Sequence, residues 1–205
     1  MVYNKIKDFG GGDMNSLALK IAWDVHKNQK RKGSNAPYII HPIEVAVILL
    51  ENGADEDLIT AGLLHDTLED ITSGRAELLK LIKANFSKRV VNIVLAVSEQ
   101  EKISINRTLT RSEKINTWRV RKQESIDKLK ISDLDVKMLS CADKLSNVRS
   151  MIEDYKMMKD NLWTMFNAGY DDQKWYYTEI LKVFKDLNNY PMYKELEYKV
   201  NLLFR

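Results

Sequence analysis

Cysteine and proline are scarce in this chain of 205 residues, and long apolar runs are missing altogether. A single cysteine, Cys141, excludes an internal disulfide framework and fits a reducing cytoplasm. No run approaches the roughly 18 consecutive apolar residues of a membrane span. The N-terminus also lacks the charged-then-apolar layout of a signal peptide. We therefore expect a cytoplasmic protein without a membrane partner.

A large excess of one charge is also missing, because 32 Lys and Arg residues face 29 Asp and Glu residues. The net charge of +3 suits an anionic small molecule but is too small to indicate nucleic acid. The basic segment 107–130 interleaves its cations with Glu113, Glu124 and Asp127, which is typical of a solvated helix or a pocket wall. We expect a small-molecule partner and no nucleic acid.

Helix-favouring residues fill most of the chain. Only three prolines interrupt runs rich in Leu, Lys, Glu and Ile, and alternating strand-like patterns stay short. The sequence therefore predicts an all-α protein. We expect a flexible N-terminus over residues 1–12, one helical domain over 13–155, and C-terminal helices over 156–205 that pack on the same domain.

Local signals divide this sequence into helices. Asp55 is predicted to cap a helix that continues through residues 65–70, and the polar segment 98–111 is predicted to be a loop. The other predicted helices are Asp13–Lys32, His41–Gly53, Arg75–Asn85, Ser87–Val97, Arg111–Leu129, Asp133–Glu153, Asp171–Leu187 and Met192–Leu203.

The ten residues AGLLHDTLED at 61–70 carry the strongest chemical signal. On a continuous helix, residues four apart share a face, so His65 would stack on Glu69 and Asp66 on Asp70. Acidic side chains at the C-terminal end of a helix oppose its macrodipole, at a cost of about 0.3–1 kcal/mol each. A bound divalent cation is the candidate that would offset this cost.

Two further residues, His41 and Asp143, extend this cluster to a hypothetical metal shell of two imidazoles and two carboxylates. Only three histidines occur, and His41 and His65 both stand where a helix core would take leucine. Mixed nitrogen and oxygen ligands suit Mn²⁺, Fe²⁺ or Zn²⁺. The third histidine, His26, is interpreted as a packed helix residue on a face with Ala18 and Ala22.

A polar stripe runs along the helix predicted around Asp143, because Asn147 and Ser150 follow at i+4 and i+7. The stripe would face solvent if it is structural, and a metal and its substrate if it is functional. Periodicity does not decide between these two interpretations.

Four ordered motifs resemble the HD-domain hydrolases of the RelA/SpoT group, which degrade the alarmone (p)ppGpp. They are QKRK at 29–32, PYIIHP at 37–42, LHDTLED at 64–70 and ADKLSN at 142–147. The resemblance extends over residues 17–152. Because the remaining residues are too few for a synthetase domain, the chain resembles the stand-alone small alarmone hydrolases.

This resemblance implies a single helical HD domain that removes the 3′-pyrophosphate of (p)ppGpp and releases GDP or GTP. The ligands that it implies for one Mn²⁺ ion are His41, His65, Asp66 and Asp143. Glu69 and Asp70 would assist attack by metal-activated water, and which of them acts as the base stays open. The substrate-binding residues that it implies are Arg31, Lys32, Asn147 and Ser150.

One segment departs from the family pattern. The loop over residues 33–36 is one residue longer than usual, at the place where base and phosphate would be recognised. Other substrates therefore stay open, namely an adenine alarmone, the 2′-phosphate of NADPH or a 5′-nucleotide. A non-catalytic nucleotide-binding regulatory module is a further alternative, and the sequence also leaves open whether the protein forms a homo-oligomer.

Overall fold

The computed structural model describes residues 14–31, 33, 35–71, 73–98 and 111–205, without the side chains of residues 111, 112 and 114. Throughout this described part, the regular secondary structure is helical and contains no β-strand, so the predicted all-α class is confirmed. The N-terminal segment 1–12 and most of the predicted loop 98–111 lie outside the described residues. No helix in the described ranges is long and apolar enough to cross a membrane.

Two compact units make up the described chain, the first from residues 14–29 and 37–98 and the second from 30–36 and 111–205. The helices of the first unit are α1 (Met14–His26), α2 (Ile40–Glu51), α3 (Glu56–Leu64), α4 (Thr67–Asp70), α5 (Arg75–Asn85) and α6 (Lys88–Val97). Those of the second unit are α7 (Arg111–Lys130), α8 (Leu134–Met158), α9 (Tyr170–Val183) and α10 (Pro191–Leu203), with 3₁₀ turns at Lys159–Met165 and Phe184–Leu187. The predicted division into a domain over 13–155 and helices over 156–205 stays a prediction.

Helix α3 is the centre of the first unit, where it packs against α1, α2 and α6. The predicted cap is confirmed, because the amide of Leu58 donates to Oδ1 of Asp55 at 3.1 Å. Gly62 allows α2 and α3 to approach closely, since a Cβ atom there would lie 2.8 Å from Cδ1 of Leu49. This close packing positions the end of α3, where the predicted ligands follow.

The chain leaves the helix at His65 and Asp66, so the prediction of a continuous helix through residues 65–70 is wrong. Two side chains use carbonyl groups that a continuous helix would use itself. Nδ1 of His65 bonds to the carbonyl of Gly62 at 2.8 Å, and the hydroxyl of Thr67 donates to the carbonyl of Leu64 at 2.6 Å. These buried side-chain bonds compete with the main-chain ladder and favour a break.

Helix α1 is shorter than predicted, because it ends at His26 rather than continuing to residue 32. The chain turns immediately afterwards, and the amide of Gln29 donates to the carbonyl of His26 at 2.9 Å. The side chains of these two residues are also bonded to each other, at 2.8 Å between Nδ1 and Oε1. The turn thus places a histidine and a glutamine side by side at the end of α1.

Helix α8 is the longest element of the second unit and packs on α10. Apolar side chains along α8 are buried, including Met138, Leu145 and Val148, and Cys141 is fully buried as well. Arg149 joins α8 to α10 through two bonds to Glu195, at 2.9 and 2.7 Å. The polar stripe predicted on this helix therefore runs along an otherwise well-packed element.

Candidate metal centre

Three predicted ligands of the first unit meet at one carboxylate oxygen. Nε2 of His65 lies 3.1 Å from Oδ2 of Asp66, and Nε2 of His41 lies 3.4 Å from the same atom. Both imidazoles are buried, and their ring centroids lie 5.1 Å apart. Helix α2 supplies His41, and the break after α3 supplies the other two residues. The structure therefore brings these three side chains together.

This donor set fits a divalent cation. The carbonyl of Gly62 can only accept a hydrogen bond, so Nδ1 of His65 carries a proton and Nε2 is the ring nitrogen that faces Asp66. A nitrogen lone pair and a carboxylate oxygen at 3.1 Å repel each other unless a proton or a cation lies between them. A carbonyl partner on the opposite ring nitrogen is also usual for histidines that bind metals.

Tyr38 is a residue of this cluster to which the sequence assigned no role. Its hydroxyl donates to Oδ2 of Asp66 at 2.7 Å, and its ring contacts both His26 and His41, with centroids 4.9 and 5.6 Å away. The available signal was its place inside the PYIIHP motif, three residues before His41. Tyr38 orients the carboxylate of Asp66, which the imidazoles of both His41 and His65 approach.

The acidic pair Glu69 and Asp70 lies on the short helix α4. Both side chains are half-buried, and both main-chain amides donate to the carbonyl of Asp66, at 3.2 and 2.9 Å. The main-chain oxygen of Asp70 accepts a bond from Nε2 of Gln29 at 3.2 Å, and Oδ2 of Asp70 lies 3.9 Å from Nδ1 of His26. The structure places this pair directly after the cluster, and its catalytic role stays a prediction.

His26 is buried with Ala18 and Ala22 on one face of α1, as the sequence predicted. Burial lowers the pKa of its imidazole, while the hydrogen bond with Gln29 and the charge of Asp66 act in the opposite direction. The sequence did not indicate the contact of this imidazole with Asp70. Periodicity shows that His26 faces the core, but it does not show which distant side chain it meets there.

In the second unit, Asp143, Asn147 and Arg31 form one connected chain of side chains. Nδ2 of Asn147 donates to Oδ1 of Asp143 at 2.6 Å, and Nη2 of Arg31 donates to Oδ1 of Asn147 at 3.0 Å. Lys144 donates to the other oxygen of Asp143. Burial lowers the pKa of Lys144, but the Asp143 carboxylate together with Tyr176 and Tyr177 holds that pKa well above its ordinary value.

The three residues of the polar stripe, Asp143, Asn147 and Ser150, are all half-buried. Within the stripe, Asn147 is hydrogen-bonded to Asp143. A carboxylate offers about four lone-pair positions, so Asp143 can accept from both Asn147 and Lys144. Ser150 is half-buried further along α8, and its predicted role in binding is untested. Lys32 lies outside the described residues.

The loop that was predicted to be unusually long lies against α8. Gly33 has a φ of +94°, and a Cβ atom there would lie 2.4 Å from Oδ2 of Asp154. The amide of Arg31 donates to the carbonyl of Ala36 at 2.9 Å and closes the loop. Burial raises the pKa of Asp154, and the positive charge of Arg31 opposes that shift. The positive φ therefore favours glycine at position 33, and a larger residue would also displace the Asp154 side chain.

Buried imidazoles and a carboxylate on a helical scaffold define an all-α metal-binding domain. The HD domain family matches residues 18–189, and the chain belongs to this family. An HD domain implies a divalent metal, and His41, His65 and Asp143 each offer a ligand atom of the required type. The family resemblance drawn from the four motifs is thereby confirmed.

The chain is similar in sequence to two curated relatives. The chain is 37% identical over 134 residues to the guanosine-3′,5′-bis(diphosphate) 3′-pyrophosphohydrolase of Aquifex aeolicus, which covers 65% of the chain and 17% of that relative. It is 37% identical over 130 residues to the GTP pyrophosphokinase of Myxococcus xanthus, which covers 62% of the chain and 16% of that relative. The chain thus matches less than a fifth of the length of either relative.

Two solved structures match a larger share of the chain. The structure of lmo0812 from Listeria monocytogenes EGD-e has a TM-score of 0.65 and 31% identity, and the match covers 80% of this chain and 98% of that one. A metazoan ortholog of SpoT, described as hydrolysing ppGpp, has a TM-score of 0.66 and covers 96% of both chains. At 22% identity, the second likeness shows the fold alone.

Proposed function

We propose that this chain is a metal-dependent hydrolase that removes the 3′-pyrophosphate of guanosine 3′,5′-bis(diphosphate). Membership of the HD domain family and the name of the Aquifex relative support this proposal. The observation that carries it is the convergence of His41 and His65 on Oδ2 of Asp66, with an acidic pair on the next short helix.

The proposed metal ligands are His41, His65, Asp66 and Asp143, and the proposed ion is Mn²⁺. When bound, the ion would lower the pKa of a water molecule and neutralise charge on the phosphate. The tautomer of His65 supports this assignment, because its Nε2 lone pair is available for a cation. Tyr38 would hold Asp66 in the orientation that suits the ion.

Glu69 and Asp70 are the proposed proton-transfer residues. One carboxylate accepts the proton of the attacking water, and the other group donates a proton to the leaving 3′-oxygen. The new bond joins the water oxygen to the phosphorus nearest the ribose, while the bond from that phosphorus to the 3′-oxygen breaks. The products are pyrophosphate and GDP, or GTP when the substrate carries a 5′-triphosphate.

The proposed substrate contacts come from Arg31, Lys32, Asn147 and Ser150. Arg31 is held by Asn147, so its guanidinium group is already ordered for an anionic partner. An ordered arginine loses less conformational freedom on binding than a mobile one. The mild positive net charge agrees with a phosphorylated substrate.

The test is product analysis with purified protein, ppGpp and either Mn²⁺, Mg²⁺ or Zn²⁺. We expect pyrophosphate and GDP in equal amounts, fastest with Mn²⁺. Asp70→Asn and Glu69→Gln should each lower turnover about 10²–10⁴-fold while leaving bound metal unchanged, and Asp127→Asn on the exposed face of α7 is the matched control.

A panel of other nucleotides decides between this proposal and its alternatives. An adenine alarmone, NADPH and 5′-nucleotides are tested at the same concentration as ppGpp. Turnover of one of these with none of ppGpp would reject the substrate but keep the hydrolase. Binding of ppGpp without turnover of any nucleotide would instead indicate a regulatory module.

A cytoplasmic location is a further proposal, supported by the single buried Cys141. Cell fractionation tests it directly. Light scattering on the purified protein measures whether it forms a homo-oligomer, and activity in the presence of RNA or vesicles tests the expected lack of nucleic-acid and membrane partners.

A further inference from the structure

Two residues contact Asp70 without a role in the proposed reaction. They are His26 at the end of α1 and Gln29 in the turn that follows it. Nε2 of Gln29 donates to the main-chain oxygen of Asp70 at 3.2 Å. Nδ1 of His26 lies 3.9 Å from Oδ2 of the same residue. His26, Gln29 and Asp70 all belong to the first unit, and α1 packs against α4.

The hydrogen-bond directions in this group follow from its chemistry. The main-chain oxygen of Asp70 can only accept, so the amide end of Gln29 that faces it must be the NH₂ group. The other end of that side chain, Oε1, can only accept as well, and it lies 2.8 Å from Nδ1 of His26. Nδ1 of His26 therefore carries the hydrogen, and it is directed at Gln29 with the carboxylate of Asp70 beside it.

Two properties of His26 indicate more than core packing. Its side chain is almost completely buried, at 1% exposure, although leucine would fill this place without a polar atom. Its Nε2 atom is buried and has no hydrogen-bond partner among the described residues, which is rare for a polar group in a protein interior. The imidazole also contacts the ring of Tyr38 in a tilted arrangement, and Tyr38 bonds to Asp66.

We propose that His26 and Gln29 are positioning residues that hold Asp70, and with it the short helix α4, in the geometry required for hydrolysis. The inference rests on the proposed function, in which the carboxylate of Asp70 takes part in proton transfer. Gln29 holds the main chain of Asp70 through its hydrogen bond. His26 in turn holds Gln29, and the carboxylate of Asp70 lies beside the N–H group of His26.

The kinetic test uses His26→Leu, Gln29→Leu and the conservative His26→Asn. Each leucine variant should lower kcat about 10–100-fold, since a displaced proton-transfer group loses most of its effect, while KM and bound metal stay unchanged. Asn carries an NH₂ group near the place of Nδ1, so His26→Asn should recover most of the activity. Asp24→Asn, one half-turn earlier on α1, is the control and should be unaffected.

A second kinetic arm separates positioning from a structural role. In the Asp70→Asn background, neither leucine substitution should lower the residual rate further, because residues that act through one group are not additive. A further loss in that background, or a loss of bound metal, would overturn the proposal. Full activity of Gln29→Leu would also overturn it.

The third arm needs no substrate. The amides of Glu69 and Asp70, which donate to Asp66, should exchange with solvent about tenfold faster in Gln29→Leu than in the unchanged protein. Unchanged exchange would overturn the positioning role even if activity falls. If the unchanged protein releases no pyrophosphate while exchange responds as expected, the proposed function fails and the hold on Asp70 stands.

Discussion

The Gly62–Asp70 segment and the Asp143–Asn147 segment both carry predicted site residues, but their backbones differ. The first leaves the helix at His65 and Asp66, and the carbonyls of Gly62 and Leu64 bond to side chains. The second stays within the uninterrupted helix α8, where Asn147 bonds to Asp143 one turn before it. The imidazole of His65 is thus held by a main-chain group, whereas Asn147 of the polar stripe is held by side chains.

This difference has a consequence for how each segment tolerates change. A main-chain carbonyl remains in place whatever side chain it carries, so the orientation of His65 depends on the packing of α3 and not on a neighbouring side chain. The orientation of Asn147 depends directly on Arg31 and Asp143. We expect substitutions of the proposed ligands in either segment to abolish function, and a substitution of Asn147 to modify binding.

The largest effect is expected from Asp66→Asn, which removes the charge that both imidazoles approach. Bound metal should fall below detection and turnover should fall more than about 10³-fold, because the ion supplies both water activation and charge neutralisation. Elemental analysis and pyrophosphate release measure the two quantities on one sample. If metal stays bound at full occupancy, Asp66 is not a ligand, and the two segments no longer differ in role.

A smaller effect is expected from Asn147→Leu, which removes the bonds of Asn147 to Asp143 and Arg31. KM for ppGpp should rise about tenfold, since Arg31 loses the bond that orders it, while kcat changes little. Steady-state kinetics measures both constants. The control is Asn147→Gln, which keeps both kinds of polar group. A fall in kcat with unchanged KM would contradict a binding role for this segment.

Thr67→Val tests the break in the first segment and should have a moderate effect on stability. The substitution keeps the volume but removes the buried bond to Leu64, so unfolding should become easier by about 1 kcal/mol. Urea unfolding measures this loss. Thr67→Ser keeps the hydroxyl and loses one methyl group, and its loss of stability should be smaller than the loss of that methyl group suggests. Unchanged stability in Thr67→Val would show that the break does not depend on this hydroxyl.

The smallest effect concerns pH and α8. The bonds from Arg149 hold the pKa of Glu195 below its ordinary value, although burial opposes them. A carboxyl whose pKa is lower in the folded state stabilises the protein above its unfolded pKa of about 4.3, and this contribution disappears as pH falls through the folded value. Because Glu195 is about one-third exposed, the contribution at neutral pH should stay below about 1 kcal/mol.

Arg149→Met measures this contribution. The variant should be less stable than the unchanged protein at pH 7, and the difference should vanish towards pH 3. Lys182→Met, which breaks an exposed pair on α9, is the control and should show almost no difference at either pH. A difference that persists at low pH would mean that Arg149 stabilises α8 through packing rather than charge.

Much of the site could be predicted because histidine and aspartate are rare at the core positions of apolar helices. Histidine and aspartate in apolar helices indicated the cluster of His41, His65 and Asp66, and the structure brings these three together. The break at His65 could not be predicted, because it depends on side-chain bonds whose strength comes from burial. Tyr38 was inside a recognised motif, but nothing local showed that its hydroxyl reaches Asp66.

By itself, the sequence determined the all-α class, the cap at Asp55 and the family, and it predicted which residues are candidate ligands, since each follows from local periodicity, composition or ordered motifs. Only the tertiary structure decided how these side chains are held. The deciding bonds join residues 28, 41 and 116 positions apart, from Tyr38 to Asp66, from Gln29 to Asp70 and from Arg31 to Asn147. Packing selects such partners, because a helical period relates only residues within a few positions of each other.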